Sequence, residues 1–211
     1  MEGYGLTEAT CAVTVSPPAG PRKIGTVGVA LPGLRVAVTA PDGTFPSPGA
    51  RGEVVIQGPT VMQGYLNRPD ATAEAMGDGW LQTGDVGILD GDGYLRIVDR
   101  IKDMIIRGGE NIYPKEIETV LQGAPGVLEA AVIGARDEVY GEVPVAYVVA
   151  YPGITLDLDE LTARCREHLT KIKVPATIHV LDALPKNPLG KVDKPALRHR
   201  SAADAVTTRG V

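Results

Sequence analysis

Near residue 100 the chain changes its rhythm, and that change constrains its fold more than any other feature. From about Gly33 to Val98 the segments Leu34–Thr39, Gly52–Gln57, Trp80–Leu89 and Tyr94–Val98 read as short strands. Pro41-Asp42-Gly43 and Asp90-Gly91-Asp92-Gly93 punctuate them as turns, the second expected to be a type I′ hairpin turn. Strands this short pack naturally as a small, twisted antiparallel barrel or sandwich. Pro69–Met76, alanine-rich with acidic residues early, predicts a short helix before the Gly77-Asp78-Gly79 break.

After Arg100 strands and helices mix. Met104–Arg107 predicts a strand ending in a Gly-Gly turn, and Tyr113-Pro114 followed by Lys115–Gln122 predicts a helix with proline in its first turn. Val127–Ala135 and Val143–Ala150 are apolar runs suited to buried strands, and Leu158–Leu169 carries apolar residues at helical spacing. Thr177–Leu181 reads as another strand, and a last short helix over Lys194–Arg200 runs into a flexible tail. The expected fold class is therefore α+β: a small β-rich, barrel-like subdomain over 1–100, a compact and mobile α+β domain over 101–198, and a tail over 199–211. Residues 1–30 show no complete pair of elements, only an apolar patch, Cys11–Val15, stopped by Pro17-Pro18.

Several chemistries are excluded at this level. A net charge of −5 without a basic stripe argues against a general nucleic-acid or anionic-membrane binder. No stretch reaches the length of a membrane span, so integral membrane association is not expected. Cys11 and Cys165 form no CxxC pair, which suits a reducing cytoplasm better than a disulfide framework. His168, His179 and His199 lack metal-ligand spacing, and no GxSxG is present. An EF-hand loop starting at Asp90 would need glycine and an acid where Leu95 and Ile101 stand, and Gly190-Lys191 lacks the remainder of a P-loop.

Four ordered blocks carry the chemistry. They are Gly3-Tyr4-Gly5-Leu6-Thr7-Glu8, Thr83-Gly84-Asp85 after Gly79-Trp80, Asp99-Arg100-Ile101-Lys102-Asp103 with Arg107-Gly108-Gly109-Glu110-Asn111, and Pro185–Lys191. Together they resemble the adenylate-forming, AMP-binding superfamily, most closely its acyl-CoA synthetases such as fatty-acid–CoA ligases. Such ligases join a substrate carboxylate to the α-phosphate of ATP, and cations must offset the charge as two anions meet. The resemblance implies that Lys191 is the adenylation lysine bridging carboxylate and α-phosphate, a flexible point charge on a loop. It implies that Glu8 ligates Mg2+, that Thr7 meets the α-phosphate and that Tyr4 lies against adenine. Asp85 would accept both ribose hydroxyls, a task suited to a carboxylate, with Arg100 reaching the same ribose. Lys102 would be the hinge on which the small domain swings, and Gly108 and Gly109 would flank the tunnel for the CoA thiol arm, although a β-turn needing positive φ explains a Gly-Gly pair as well.

The resemblance runs from residue 1 to about 198 but matches only the later part of the family's pattern, so the chain begins as if in the middle of an enzyme. The family's phosphate loop and acyl-pocket segments find no counterpart, and residues 1–30 are expected to have left their packing partners behind. The implied partners are ATP, CoA, a fatty or aryl carboxylic acid and a missing N-terminal portion, with inactivity expected of the isolated chain. Two other readings stand beside this one: a non-catalytic binding module of the same ancestry, and an adenylation domain that loads a carrier protein.

Overall fold

The computed structural model describes residues 2–208, with side chains through Ala202. It divides into two compact units between Lys102 and Asp103.

The first unit holds two antiparallel sheets. Strands β1 (Gly3–Tyr4), β2 (Thr14–Val15) and β3 (Val29–Ala30) form a small sheet in that order. Strands β4 (Arg35–Thr39), β5 (Arg51–Gln57), β6 (Met76–Gly77), β7 (Trp80–Leu89) and β8 (Leu95–Arg100) form a larger one. Its order is β4-β5-β7, with β6 and β8 both paired to β7, and no pairing among the described residues closes this path into a barrel. Helix α1 (Pro69–Ala75) starts on its proline and buries no residue fully.

The expectation that residues 1–30 lack partners is corrected here. Ala9 and Val13 are fully buried with Leu34, Ile56 and Leu81 in one apolar cluster, while Val38, Val54 and Leu95 form another. Strands of two residues have no readable period, so this sheet exists through pairings that the sequence does not display. The Asp90 turn is also corrected. Positive φ occurs only at Gly93 (+80°), whereas a type I′ turn needs it at both central residues. The Asp90 carboxylate instead accepts the amides of Asp92 and Tyr94, an Asx-type turn.

The second unit is one five-stranded sheet with helices on both faces. Its strands are β9 (Ile105–Arg107), β10 (Glu110–Ile112), β11 (Val127–Asp137), β12 (Gly141–Ala150) and β13 (Thr177–Val180). The order is β10-β9-β12-β11, and β13 pairs with β12 in parallel. Helices α2 (Pro114–Gln122) and α3 (Leu158–His168) supply Ile117, Leu121, Leu161 and Cys165 to one core, which takes Val132, Ala146 and Val148 from the sheet. The alternate residues Ala131, Ile133, Val145, Tyr147 and Val149 face the other core with Leu184 and with Leu197 of α4 (Lys194–Thr208). Two covered faces explain why residues 130–135 of β11 and 143–150 of β12 read as apolar runs without alternation, since the period of two survives only as a choice of which core each side chain enters.

Helix α4 is longer than the expected Lys194–Arg200, because its backbone continues to Thr208. Ala202, Ala203 and Ala205 favour that continuation. Residues 209–211 of the expected tail lie outside the described residues.

Candidate functional site

In the first unit the chemistry gathers around one carboxylate. The register between β5 and β7 shifts at Val54, where the three residues Thr83-Gly84-Asp85 face that single residue and bulge from the ladder. Gly84 takes φ +69°, a left-handed conformation that side chains resist. The bulge is pinned from β5: the Thr83 hydroxyl donates to the Val54 carbonyl at 2.8 Å, and the Gly84 amide donates to Glu53 Oε1 at 3.0 Å. Asp85 is buried to 6% exposure, and both its oxygens are engaged. Tyr4 O–H donates to Oδ2 at 2.6 Å, and Arg100 Nε, opposite Asp85 in the β7–β8 register, donates to Oδ1 at 3.0 Å. Burial first, then the hydrogen bond to the Asp85 carboxylate, raises the Tyr4 phenol well above an ordinary tyrosine.

The segment after Tyr4 folds as it does because Gly5 is glycine. A Cβ there would lie 1.9 Å from the Cys11 carbonyl oxygen, so no other residue lets the two backbone runs cross. Beyond it, Thr7–Ala9 form a short 3-10 turn held by the Ala9 amide on the Leu6 carbonyl, followed by Thr10 and Cys11 at φ 57° and 68°. Two successive left-handed non-glycine residues store about 1–3 kcal/mol each, offset by the burial of Ala9 and Val13 beside them. The turn presents Glu8, whose Oε1 accepts Tyr65 O–H at 3.0 Å. That hydrogen bond raises the Tyr65 phenol.

Glu8 and Asp85 share a cavity of about 430 Å³ with Leu6, Glu53, Thr83, Gly84, Arg100, Ile101 and Lys102. A wider opening of about 680 Å³ shares Glu53, Thr83 and Gly84 and reaches Tyr65 and Arg68. Thr7 is exposed at the start of its turn and does not line the smaller cavity. With three carboxylates against Arg100 and Lys102, these walls suit hydroxyl groups and a cation better than a bare triphosphate.

In the second unit Lys191 is exposed, but its loop is ordered by hydrogen bonds. Asn187 Oδ1 accepts the amides of Leu189 and Lys191, both at 3.0 Å, and the Asn187 amide donates to the Lys191 carbonyl at 2.8 Å. Lys186 and Val192 form an antiparallel bridge across the loop, and Gly190 takes φ +75° at its tip. Just beyond, the Asp193 carboxylate accepts the Ala196 amide in the first turn of α4, and Lys194 Nζ meets buried Glu118 Oε1 at 2.8 Å. Glu118 also accepts the Val132 amide, so α2, β11 and α4 converge on one ion pair. The lysine is thus a flexible side chain on a built loop.

Gly108 and Gly109, at φ +58° and +86°, close the β9–β10 hairpin, and Arg107 stacks on Tyr140 with its guanidinium 5.0 Å from the ring centre. The structure therefore brings Tyr4, Glu8, Asp85, Arg100 and Lys102 into one unit and sets Lys191, Gly108 and Gly109 in the other. Sequence reasoning passed over Glu53, Tyr65 and Asn187. Asn187 stands inside a motif already singled out, in a Pro-Lys-Asn-Pro setting that marks a turn. Glu53 and Tyr65 carry no local signal.

Comparison with known proteins matches residues 1–66 to the model of the AMP-binding enzyme and residues 116–191 to that of the AMP-binding enzyme C-terminal domain. A feruloyl-CoA synthase of Amycolatopsis is 48% identical over 95% of this chain and 41% of its own length. A 2-succinylbenzoate–CoA ligase of Bacillus subtilis is 44% identical over 91% of the chain and 39% of its own. The crystal structure of ATP-bound MatB from Rhodopseudomonas palustris aligns with a TM-score of 0.89 at 40% identity, covering 94% of this chain and 40% of that one. The chain thus spans about two-fifths of the length of the relatives it matches.

Proposed function

Because this chain belongs to the AMP-binding enzyme family, we propose that it supplies the ribose-binding, metal-binding and lysine-bearing parts of an ATP-dependent acyl-CoA ligase. The observation that carries this reading is the Asp85 carboxylate, buried, held on both oxygens and open to the same cavity as Glu8. A site built for phosphates alone would place cations there.

In this reading Asp85 accepts the two ribose hydroxyls and Arg100 steadies it from β8. Glu8 and Glu53 fit Mg2+, which takes one or two carboxylates and completes its shell with phosphate oxygens and water. When bound, the ion would neutralise charge on the leaving pyrophosphate. Lys191 neutralises the remaining charge where a carboxylate oxygen attacks the α-phosphorus and the bond to the pyrophosphate oxygen breaks. In the second step the CoA thiolate attacks the acyl carbon and AMP leaves with the bonding electron pair. Lys102 serves as the hinge and the Gly108-Gly109 turn borders the thiol arm. The carboxylate substrate is a fatty or aryl acid, the aryl case in keeping with the names of the feruloyl-CoA and 2-succinylbenzoate relatives.

The test is a chimera joining residues 1–211 to the part of the feruloyl-CoA synthase that the match leaves uncovered. It should exchange pyrophosphate into ATP with an aryl acid, and Lys191→Ala should slow that exchange about 100-fold or more, the scale of one lost electrostatic contact at a transition state. Thioester formation from preformed acyl-adenylate should survive the same change. Equal loss in both steps would remove Lys191 from the chemistry, and transfer to a carrier protein but not to CoA would favour the carrier-loading reading.

A further inference from the structure

We propose that Tyr4 determines the selectivity of this site for an intact ribose diol, acting through its hydroxyl as a positioning residue for Asp85. The inference rests on the nucleotide reading above and deepens it. An aspartate carboxylate turns easily about its last torsion, which is broad and two-fold. Here one donor sits on each oxygen: Tyr4 O–H on Oδ2 at 2.6 Å and Arg100 Nε on Oδ1 at 3.0 Å. Donors on both oxygens fix the carboxylate plane.

A carboxylate offers about four lone-pair sites, two per oxygen. With one taken on each, one remains on each, and the Asp85 side chain is otherwise 8% exposed. Two acceptors side by side match the two hydroxyls of a vicinal diol, while a deoxy sugar leaves one buried acceptor without a donor. The Tyr4 ring is itself fixed, packed against both apolar clusters of its unit, so its hydroxyl points in one direction. Arg100 is half exposed and cannot hold the plane alone. The phenol, held protonated by burial and by Asp85, remains a donor at neutral pH.

The experiment titrates residues 1–211 with AMP, 2′-deoxyAMP and 3′-deoxyAMP, followed by saturation-transfer NMR at millimolar nucleotide. The parent should prefer AMP over each deoxy analogue by about fivefold, the size of one net hydrogen bond. Tyr4→Phe, which keeps the ring, should lower AMP affinity about fivefold and leave both analogues within about twofold, so that the preference collapses. Loss of all three nucleotides in parallel, or an unchanged preference, would overturn the proposal. Should Tyr4→Phe fail to fold, the phenolic proton of Tyr4 in the parent gives a second reading: AMP should shift it, and the analogues at equal occupancy should shift it less. Equal shifts would again overturn the role. A parent chain that binds AMP without diol preference overturns this inference alone, whereas one that binds no AMP overturns the nucleotide reading with it.

Discussion

Tyr4 and Asp85 stand 81 positions apart and meet in a 2.6 Å hydrogen bond, so the chemistry of one depends on the placement of the other. An unfolded tyrosine ionises near pH 10. Below that pH the phenol is protonated in both states and its contribution to stability is fully present. Above it the unfolded chain loses the proton first, because the folded phenol is raised by burial and by Asp85, and stability falls as pH climbs toward the folded value. Urea midpoints measured from pH 8 to 11 should therefore decline in the parent and decline less in Tyr4→Phe. Parallel curves would show that the hydrogen bond does not persist in solution.

Among elements, α4 governs how well Lys191 is placed, because the loop ends where the helix begins. Its first residue, Lys194, reaches Glu118, and the two side chains are only 15% and 9% exposed. Burial of such a pair is costly in itself, but removing one partner leaves the other charge stranded with the Val132 amide as its remaining contact among those described. Lys194→Ala should destabilise the second unit by about 3 kcal/mol, and the amide protons of Leu189 and Lys191 should exchange faster. Lys194→Ala with Glu118→Gln should recover part of that loss. A single variant as stable as the parent would show that α4 is held by Leu197 and its apolar neighbours alone.

At the scale of the whole molecule, each unit has cores of its own, the first built from Ala9 to Leu95 and the second from Ile105 to Leu197. A polypeptide of residues 103–211 should therefore unfold cooperatively, with coincident transitions by circular dichroism and fluorescence of its tyrosines. It has to retain α4 through Thr208, eight residues beyond the end expected from sequence. A broad transition without cooperativity would contradict this. For residues 1–211 the expectation is weak ATP binding and no acyl-CoA formation, since catalysis needs reacting groups held together and the Glu8–Asp85 cavity sets three carboxylates against only Arg100 and Lys102. Calorimetry with Mg-ATP and a coupled thioester assay would check both, and turnover by this chain without any addition would refute it.

What could be read from sequence is whatever repeats or ends locally. Trp80–Leu89 is predicted residue for residue, α2 starts at its proline, and the apolar runs of β11 and β12 announce buried strands. The motifs likewise singled out Tyr4, Asp85, Arg100 and Lys191 one at a time. Tertiary structure alone decided the rest. Strands of two residues pair only because Val13 and Ala9 find Leu34 and Ile56 to bury against, and Glu53 enters the site only because a bulge in β7 brings Gly84 within reach. Tyr4 becomes a clamp on Asp85 because the chain between them folds back, and Lys191 gains an ordered loop because Asn187 finds two free amides. Periodicity and turn chemistry act over a few residues, whereas a hydrogen bond across 81 positions depends on packing that no local pattern encodes.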